Sequence, residues 1–229
     1  SARILLIEAG PKVLAPFPGH LSQRALQDLQ DLGVEVRTGQ AVTNCTAEGV
    51  YIGEEFIPAR TIIWSAGVKA SPAAEWLKAE CDRAGRVLVN PDLSLPGHDD
   101  VFVIGDTAHL TDKNGVAVPG LAPAAEQQGR YVARLIAGRL QNKPTPEPFA
   151  YKDYGIMATI GRGKAVGKIG AWTFTGRFAW SLWGLIHLMP LVGFRNRMMV
   201  AGDWFWAYFT KARSVRLITV KKNNGEELK

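Results

Sequence analysis

The sequence predicts an α/β fold followed by a basic, aromatic C-terminal region of different character. Three observations carry that prediction. Short apolar runs closed by glycine or an acid recur at Arg3-Ile4-Leu5-Leu6-Ile7-Glu8, Thr61-Ile62-Ile63-Trp64 with Ser65-Ala66-Gly67 after it, and Val101-Phe102-Val103-Ile104-Gly105-Asp106. Helical patterns alternate with them, as in layered folds where helices cover a mostly parallel sheet. The charge then changes: residues 1–150 carry 14 Lys/Arg against 17 Asp/Glu, whereas residues 151–229 carry 13 against 4 and hold five of the seven tryptophans.

The elements follow in order. Arg3 to Glu8 reads as a strand ending in an acid, followed by the Gly10-Pro11 turn. Leu21, Ala25, Leu26, Leu29 and Leu32 recur at helical spacing, and Gly33 closes that helix. Val34-Glu35-Val36 is a short strand, and residues 38–58 alternate as a β-ribbon with strands at Ala41-Val42-Thr43, residues 49–52 and residues 55–57. Residues 61–64 read as a buried strand; Ser71 then serves as N-cap, with Pro72 at the first position of a helix through about Ala79. Residues 101–104 read as a strand buried on both faces, as in a parallel sheet, and ligands bind beyond the C-terminal ends of such strands. Gly105 there admits a ligand close to the backbone, and Asp106 can accept hydrogen bonds from its hydroxyls. The loop 107–120 leads into an Ala- and Gln-rich helix over 121–140.

Three prolines within residues 144–148 mark 142–148 as a linker. Residues 156–160 and 165–169 then form a hairpin through Gly161-Arg162-Gly163-Lys164; the spacing does not fit a phosphate-binding P-loop. Residues 178–194 form a stretch of 17 without a formal charge, flanked by Arg177, Arg195 and Arg197 and broken by Pro190. That is shorter than the ~20 apolar residues a bilayer span needs. Residues 198–209 carry Trp204, Phe205, Trp206, Tyr208 and Phe209, followed by Lys211, Arg213 and Arg216. Two short, aromatic, basic-flanked helices suit a protein lying on a membrane, because tryptophan favours the headgroup level and arginine reaches phosphates. An ordinary core or a homodimer interface is the other reading. Nucleic acid is disfavoured, since the basic residues flank aromatic blocks and do not interleave with single aromatics. Cys45 and Cys81 form no CxxC pair and no metal-like spacing, so neither a disulfide framework nor a metal site is expected.

In a dinucleotide-binding βαβ unit, an acid about twenty residues after a glycine-rich fingerprint takes the ribose hydroxyls. Glu8 stands where that acid would be, with the fingerprint expected before residue 1. Residues 61–67 and 101–106 supply two further strand ends where a cofactor could meet the backbone. The segment Ile63-Trp64-Ser65-Ala66-Gly67-Val68-Lys69-Ala70-Ser71-Pro72, then residues 101–106, 120–129, 151–162 and Gly193-Phe194-Arg195-Asn196-Arg197 follow in that order. Together they resemble the second half of a type II NADH:quinone oxidoreductase, within the two-dinucleotide flavoproteins of Rossmann-like, FAD/NAD(P)-binding fold.

The resemblance implies a plan for the chain: 1–66 from an NADH domain, 67–141 returning to an FAD domain, 142–148 a linker, and 149–229 a membrane-associating, quinone-site region. It assigns Glu8 to the NADH ribose, with Ala66 and Gly67 where the chain passes between domains. Gly105 and Asp106 would bind FAD, with Ala124 and Ala125 at the helix start facing the flavin ring. Gln127, Gln128 and Tyr154 would line the quinone site; the family's first glutamine is Pro123 here. Trp180, Trp183, Trp204, Trp206, Arg195 and Arg197 would touch lipid. The implied activity passes a hydride from NADH to FAD and two electrons to a quinone, with no side-chain nucleophile, at the cytoplasmic face of a bacterial inner membrane. The chain is expected to be part of a longer protein and inactive alone. The alternatives are a sulfide:quinone or other FAD/NAD-linked oxidoreductase, and a non-catalytic membrane-binding module.

Overall fold

The computed structural model describes residues 3–113 and 115–210, and has an α/β fold. The chain divides into two compact units: Ser1–Cys45 with Tyr51–Phe56 and Gly155–Lys229, and Thr46–Val50 with Ile57–Tyr154.

The first unit opens with β1 (Ile4–Glu8), α1 (Gly19–Asp31) and β2 (Val34–Thr38), a βαβ element whose strands pair in parallel from Ile4↔Val34 to Glu8↔Thr38. Gly33 ends the helix at φ +83°, a conformation that side chains with a Cβ resist, and its N–H donates to Gln30 O at 2.8 Å. The ribbon follows as β3 (Asn44–Cys45), β4 (Gly49–Ile52) and β5 (Glu55–Pro58). Ala41 to Thr43 precede β3 and are not a strand, although Thr43 N–H still reaches Tyr51 O at 2.8 Å.

The second unit corrects three expectations. Residues 61–64 are not a strand: no backbone hydrogen bond forms there among the described residues, and Ile63 and Trp64 are 83% and 65% exposed. Their composition suits burial, but a strand also needs a partner for its N–H and C=O groups. α2 (Ala73–Leu77) is capped at Pro72 without a side-chain bond, while Ser71 Oγ lies 3.3 Å from Thr107 Oγ1. The helix stops early because Lys78 turns left-handed at φ +51°. After β6 (Val87–Leu88) and β7 (Ser94–Leu95), β8 (His98–Phe102) pairs with β7 in antiparallel, not as a doubly buried parallel strand. The tight connection through residues 96–97 folds one strand back on the other. Val103 beyond it is buried and Ile104 is exposed. A 3-10 turn, Gly105–Thr107, leads into β9 (Ala108–His109), parallel to β6.

α3 (Ala122–Leu140) packs Ala124, Tyr131, Val132 and Leu135 against Leu93, Leu110 and Val118, with Phe149 and Tyr151 closing over them. Tyr131 meets Phe149 edge-on at 5.6 Å. Its hydroxyl is buried without a hydrogen-bond partner among the described residues, and burial first of all raises its pKa. Residues 142–148 carry no regular structure.

The chain returns to the first unit as β10 (Ile156–Gly161) and β11 (Lys164–Ile169), an antiparallel hairpin turning at Arg162-Gly163. A third strand, β12 (Trp172–Thr175), adds to β11 and has no counterpart in the sequence reading. Leu21, Ala25 and Val166 share one core with Leu6, Val36, Ile156 and Ile160, so the buried stripe of α1 lies between the parallel pair and the hairpin. α4 (Gly176–Leu188) buries Ala179, and α5 (Phe194–Thr210) has no buried residue. No helix among the described residues is long and apolar enough to cross a membrane. Lys211, Arg213 and Arg216 lie outside the described residues.

Candidate functional site

In the first unit, Glu8 stands at the C-terminal end of the parallel pair, the position where such strands meet ligands. Its Oε1 accepts the Gly10 N–H at 2.7 Å. A Cβ at Gly10 would lie 3.1 Å from that oxygen, so the missing side chain keeps the turn tight. The carboxylate is thus oriented locally, with its second oxygen uncommitted among the described residues.

In the second unit, the 3-10 turn places Gly105 at φ +67°, and a Cβ there would sit 3.4 Å from Ala125 Cβ on α3. Gly105 N–H points into the protein and donates to Gln128 Oε1 at 2.6 Å. Asp106 is exposed, and its carboxylate makes no hydrogen bond or ion pair among the described residues; a Cβ on Gly120 would lie 3.4 Å from Asp106 Oδ1. The first turn of α3 begins beside it. Ala124 and Ala125 N–H both bond to Leu121 O, at 2.9 and 3.1 Å, and Pro123 has no N–H. Among the described residues, that leaves Ala122 N–H as the open donor at this positive helix end.

The two glutamines diverge. Gln128 is 2% exposed and faces the core, whereas Gln127 is half-buried. Gln127 Nε2 donates to Lys152 O and its Oε1 accepts Lys152 N–H, both at 3.0 Å, so one side-chain amide holds the segment that carries Tyr154. Tyr154 is exposed, with Lys152 Nζ 5.6 Å from its ring centroid. Ala66 and Gly67 lie apart from this cluster, with Val68, Lys69 and residues 81–85 around an open cavity of about 570 Å³.

The aromatic helices belong to the first unit. Trp180 and Trp183 are half-buried; Trp183 stacks on Trp204 at 5.8 Å and on His187 at 4.1 Å, and Trp180 meets Tyr208 at 5.2 Å. Trp204, Trp206 and Arg195 are exposed, while Arg197 Nε donates to Leu191 O at 2.7 Å.

A family model described as pyridine nucleotide-disulphide oxidoreductase matches residues 1–129. The chain belongs to the pyridine nucleotide-disulphide oxidoreductase family. Among its relatives, the type II NADH:quinone oxidoreductase Ndh of Mycobacterium tuberculosis is 41% identical over 229 residues, covering 95% of this chain and 48% of that protein. The type II NADH:quinone oxidoreductase of Staphylococcus haemolyticus is 34% identical over 182 residues, covering 77% and 45%. A solved structure of NDH2 from Plasmodium falciparum in complex with NADH shares the fold, with a TM-score of 0.80 at 16% identity, over 93% of this chain and 59% of that one. The chain spans about half the length of the curated relatives it matches.

The sequence signal for the inward role of Gln128 lay in spacing. Ala124, Gln128, Tyr131, Val132 and Leu135 make one buried stripe, and the glutamine is its one amide.

Proposed function

We propose that this chain works as part of an NADH:quinone oxidoreductase, in which FAD accepts a hydride from NADH and delivers two electrons to a membrane quinone. The observation that carries this reading is the match along 95% of the chain to a protein named for that activity. The residues fit the roles. Asp106 offers an unpaired carboxylate to the hydroxyls of the flavin's ribityl chain, and Gly105 presents no side chain there. Ala122 N–H, at the positive end of α3, suits the carbonyl edge of the ring, with Ala124 and Ala125 forming the turn behind it. The second oxygen of Glu8 takes an NADH ribose hydroxyl, and Ala66 and Gly67 lie where the chain passes from the NADH part (1–66) to the FAD part (67–141). Gln127 and Tyr154 belong to the quinone side. Trp204, Trp206 and Arg195 meet lipid, with Trp180, Trp183 and Arg197 supporting them from within α4 and α5. The protein orients the reactants and excludes side reactions; the flavin supplies the redox chemistry.

The test is quinone-dependent NADH oxidation by the purified full-length protein. Flavin absorbance together with NADH consumption that requires added quinone is expected, and consumption indifferent to quinone sinks the reading. In stopped-flow measurements, Gln127→Ala should slow quinone reduction more than reduction of the flavin by NADH.

A further inference from the structure

We propose that Gln128 is a positioning residue for the Gly105–Asp106 turn, setting the direction of the Asp106 carboxylate without touching the cofactor; the inference rests on the reading of Asp106 as a flavin contact. Gly105 at φ +67° turns its N–H away from the open side and toward α3. The carbonyls inside α3 are taken by the helix's own i→i−4 bonds, so an N–H turned toward the helix at this point needs a side-chain acceptor. Gln128 provides it. Its Oε1 lies 2.6 Å from Gly105 N, and the side chain is 2% exposed on a stripe otherwise built of Ala124, Tyr131, Val132 and Leu135. An amide at such a position carries a desolvation cost that only a matched hydrogen bond offsets.

The bond also ties together two elements. Ala125 Cβ would touch a Cβ at Gly105 at 3.4 Å, and Gly129 lies against Ile104 Cδ1 at 3.8 Å on the same measure. The strand end and the first turns of α3 are therefore closely fitted, and Gln128 fixes their register at the glycine. Without the acceptor, Gly105 is free to leave its positive φ, and Asp106 swings with it. Every group that contacts the flavin would still be present, but misdirected.

The experiment measures the dissociation constant of FAD by reconstituting the apo form of the full-length protein, for Gln128→Met, Gln128→Glu, Asp106→Ala and the pair Gln128→Met with Asp106→Ala. Gln128→Met keeps the volume and removes the acceptor, and should weaken FAD on the order of tenfold. Gln128→Glu keeps an acceptor oxygen and should restore most of that loss. Because Gln128 acts through Asp106, the double variant should bind FAD about as Asp106→Ala does, instead of showing the product of both losses. Unchanged affinity in Gln128→Met, equal losses in Met and Glu, or independent effects in the double variant would each overturn the proposal. If Asp106→Ala itself leaves FAD affinity unchanged, the assignment of Asp106 fails instead. Should Gln128→Met not fold, Gln128→Asn, which withdraws the acceptor by one methylene, carries the same expectation of weaker binding.

Discussion

At the scale of single residues, Asp82 shows how a carboxylate can be committed completely to structure. Ala84 N–H and Arg86 N–H donate to its Oδ1, both at 2.9 Å, and Arg86 Nε donates to Oδ2 at 2.8 Å. His109 Nδ1 lies 3.0 Å from the same Oδ2. Burial pushes the Asp82 carboxyl up, yet the hydrogen bonds from Arg86 and Ala84 outweigh it and hold the pKa at about 2, below the ordinary 3.8. A carboxyl depressed on folding stabilises the fold above its unfolded pKa, and that contribution disappears as the pH falls from about 4 through about 2. Asp82→Asn should therefore cost about 1–2 kcal/mol at pH 6 and much less at pH 2.5. Urea midpoints at the two pH values check this, and an equal deficit at both would contradict it. Asp106, by contrast, has no such partners among the described residues, which leaves it available for the proposed ligand role. The sequence exposed Asp106 through its place after a strand and a glycine. Gln127 and Gln128 are told apart only by periodicity: Gln128 shares the helical spacing of Ala124, Tyr131, Val132 and Leu135, and Gln127 does not.

Whole elements were legible where the pattern was local. The periods of α1 and α3, the hairpin turn at residues 162–163 and the irregular segment 142–148 need only near neighbours to be recognised. Residues 61–64 and 101–104 depart from their expected buried strands because composition reports a taste for burial and says nothing of which strand is available to pair. The packing of α1 on β11 is equally non-local. Lys164 Nζ, 136 positions from Asp28, donates to Asp28 Oδ1 at 3.0 Å and to Asp31 Oδ2 at 2.9 Å, while Arg24 Nε reaches Asp28 Oδ2 at 3.2 Å. Hydrogen bonds to Asp31 and Asp28 hold the Lys164 ammonium above the usual lysine pKa. Asp28 is 1% exposed and meets both cations inside the protein, whereas Asp31 is exposed. Asp28→Asn keeps the shape but leaves Lys164 and Arg24 facing a neutral amide, and should destabilise by about 2 kcal/mol. Asp31→Asn should cost much less, since water replaces the exposed contact. Denaturant unfolding separates the two; equal losses would mean that burial of Asp28 is not what makes this junction matter.

For the molecule as a whole, the uneven charge and the aromatic C-terminal helices make one prediction, on the proposal that these helices lie on a membrane. Trp204, Phe205, Trp206 and Phe209 are exposed on α5, with Phe205 and Phe209 in ring contact at 4.6 Å and Arg195 open to solvent at the same helix's start. Two forces with different salt dependence should then hold the protein to lipid. Attraction between arginine and anionic headgroups is screened as the Debye length shrinks from about 10 Å at 0.1 M salt to about 3 Å at 1 M. Burial of aromatic rings is not screened. Co-sedimentation of the full-length protein with vesicles containing anionic lipid should fall between 0.1 and 1 M NaCl without vanishing. Arg195→Gln should weaken binding about fivefold at low salt and little at high salt, while Trp204→Ser with Trp206→Ser should weaken it at both. If the tryptophan variants bind vesicles normally but lose a dimer in sedimentation velocity, the aromatic face is an interface between copies. A salt profile of this form would assign the arginine and the tryptophans to separate parts of one attachment, which neither the charge split nor the exposed rings could do alone.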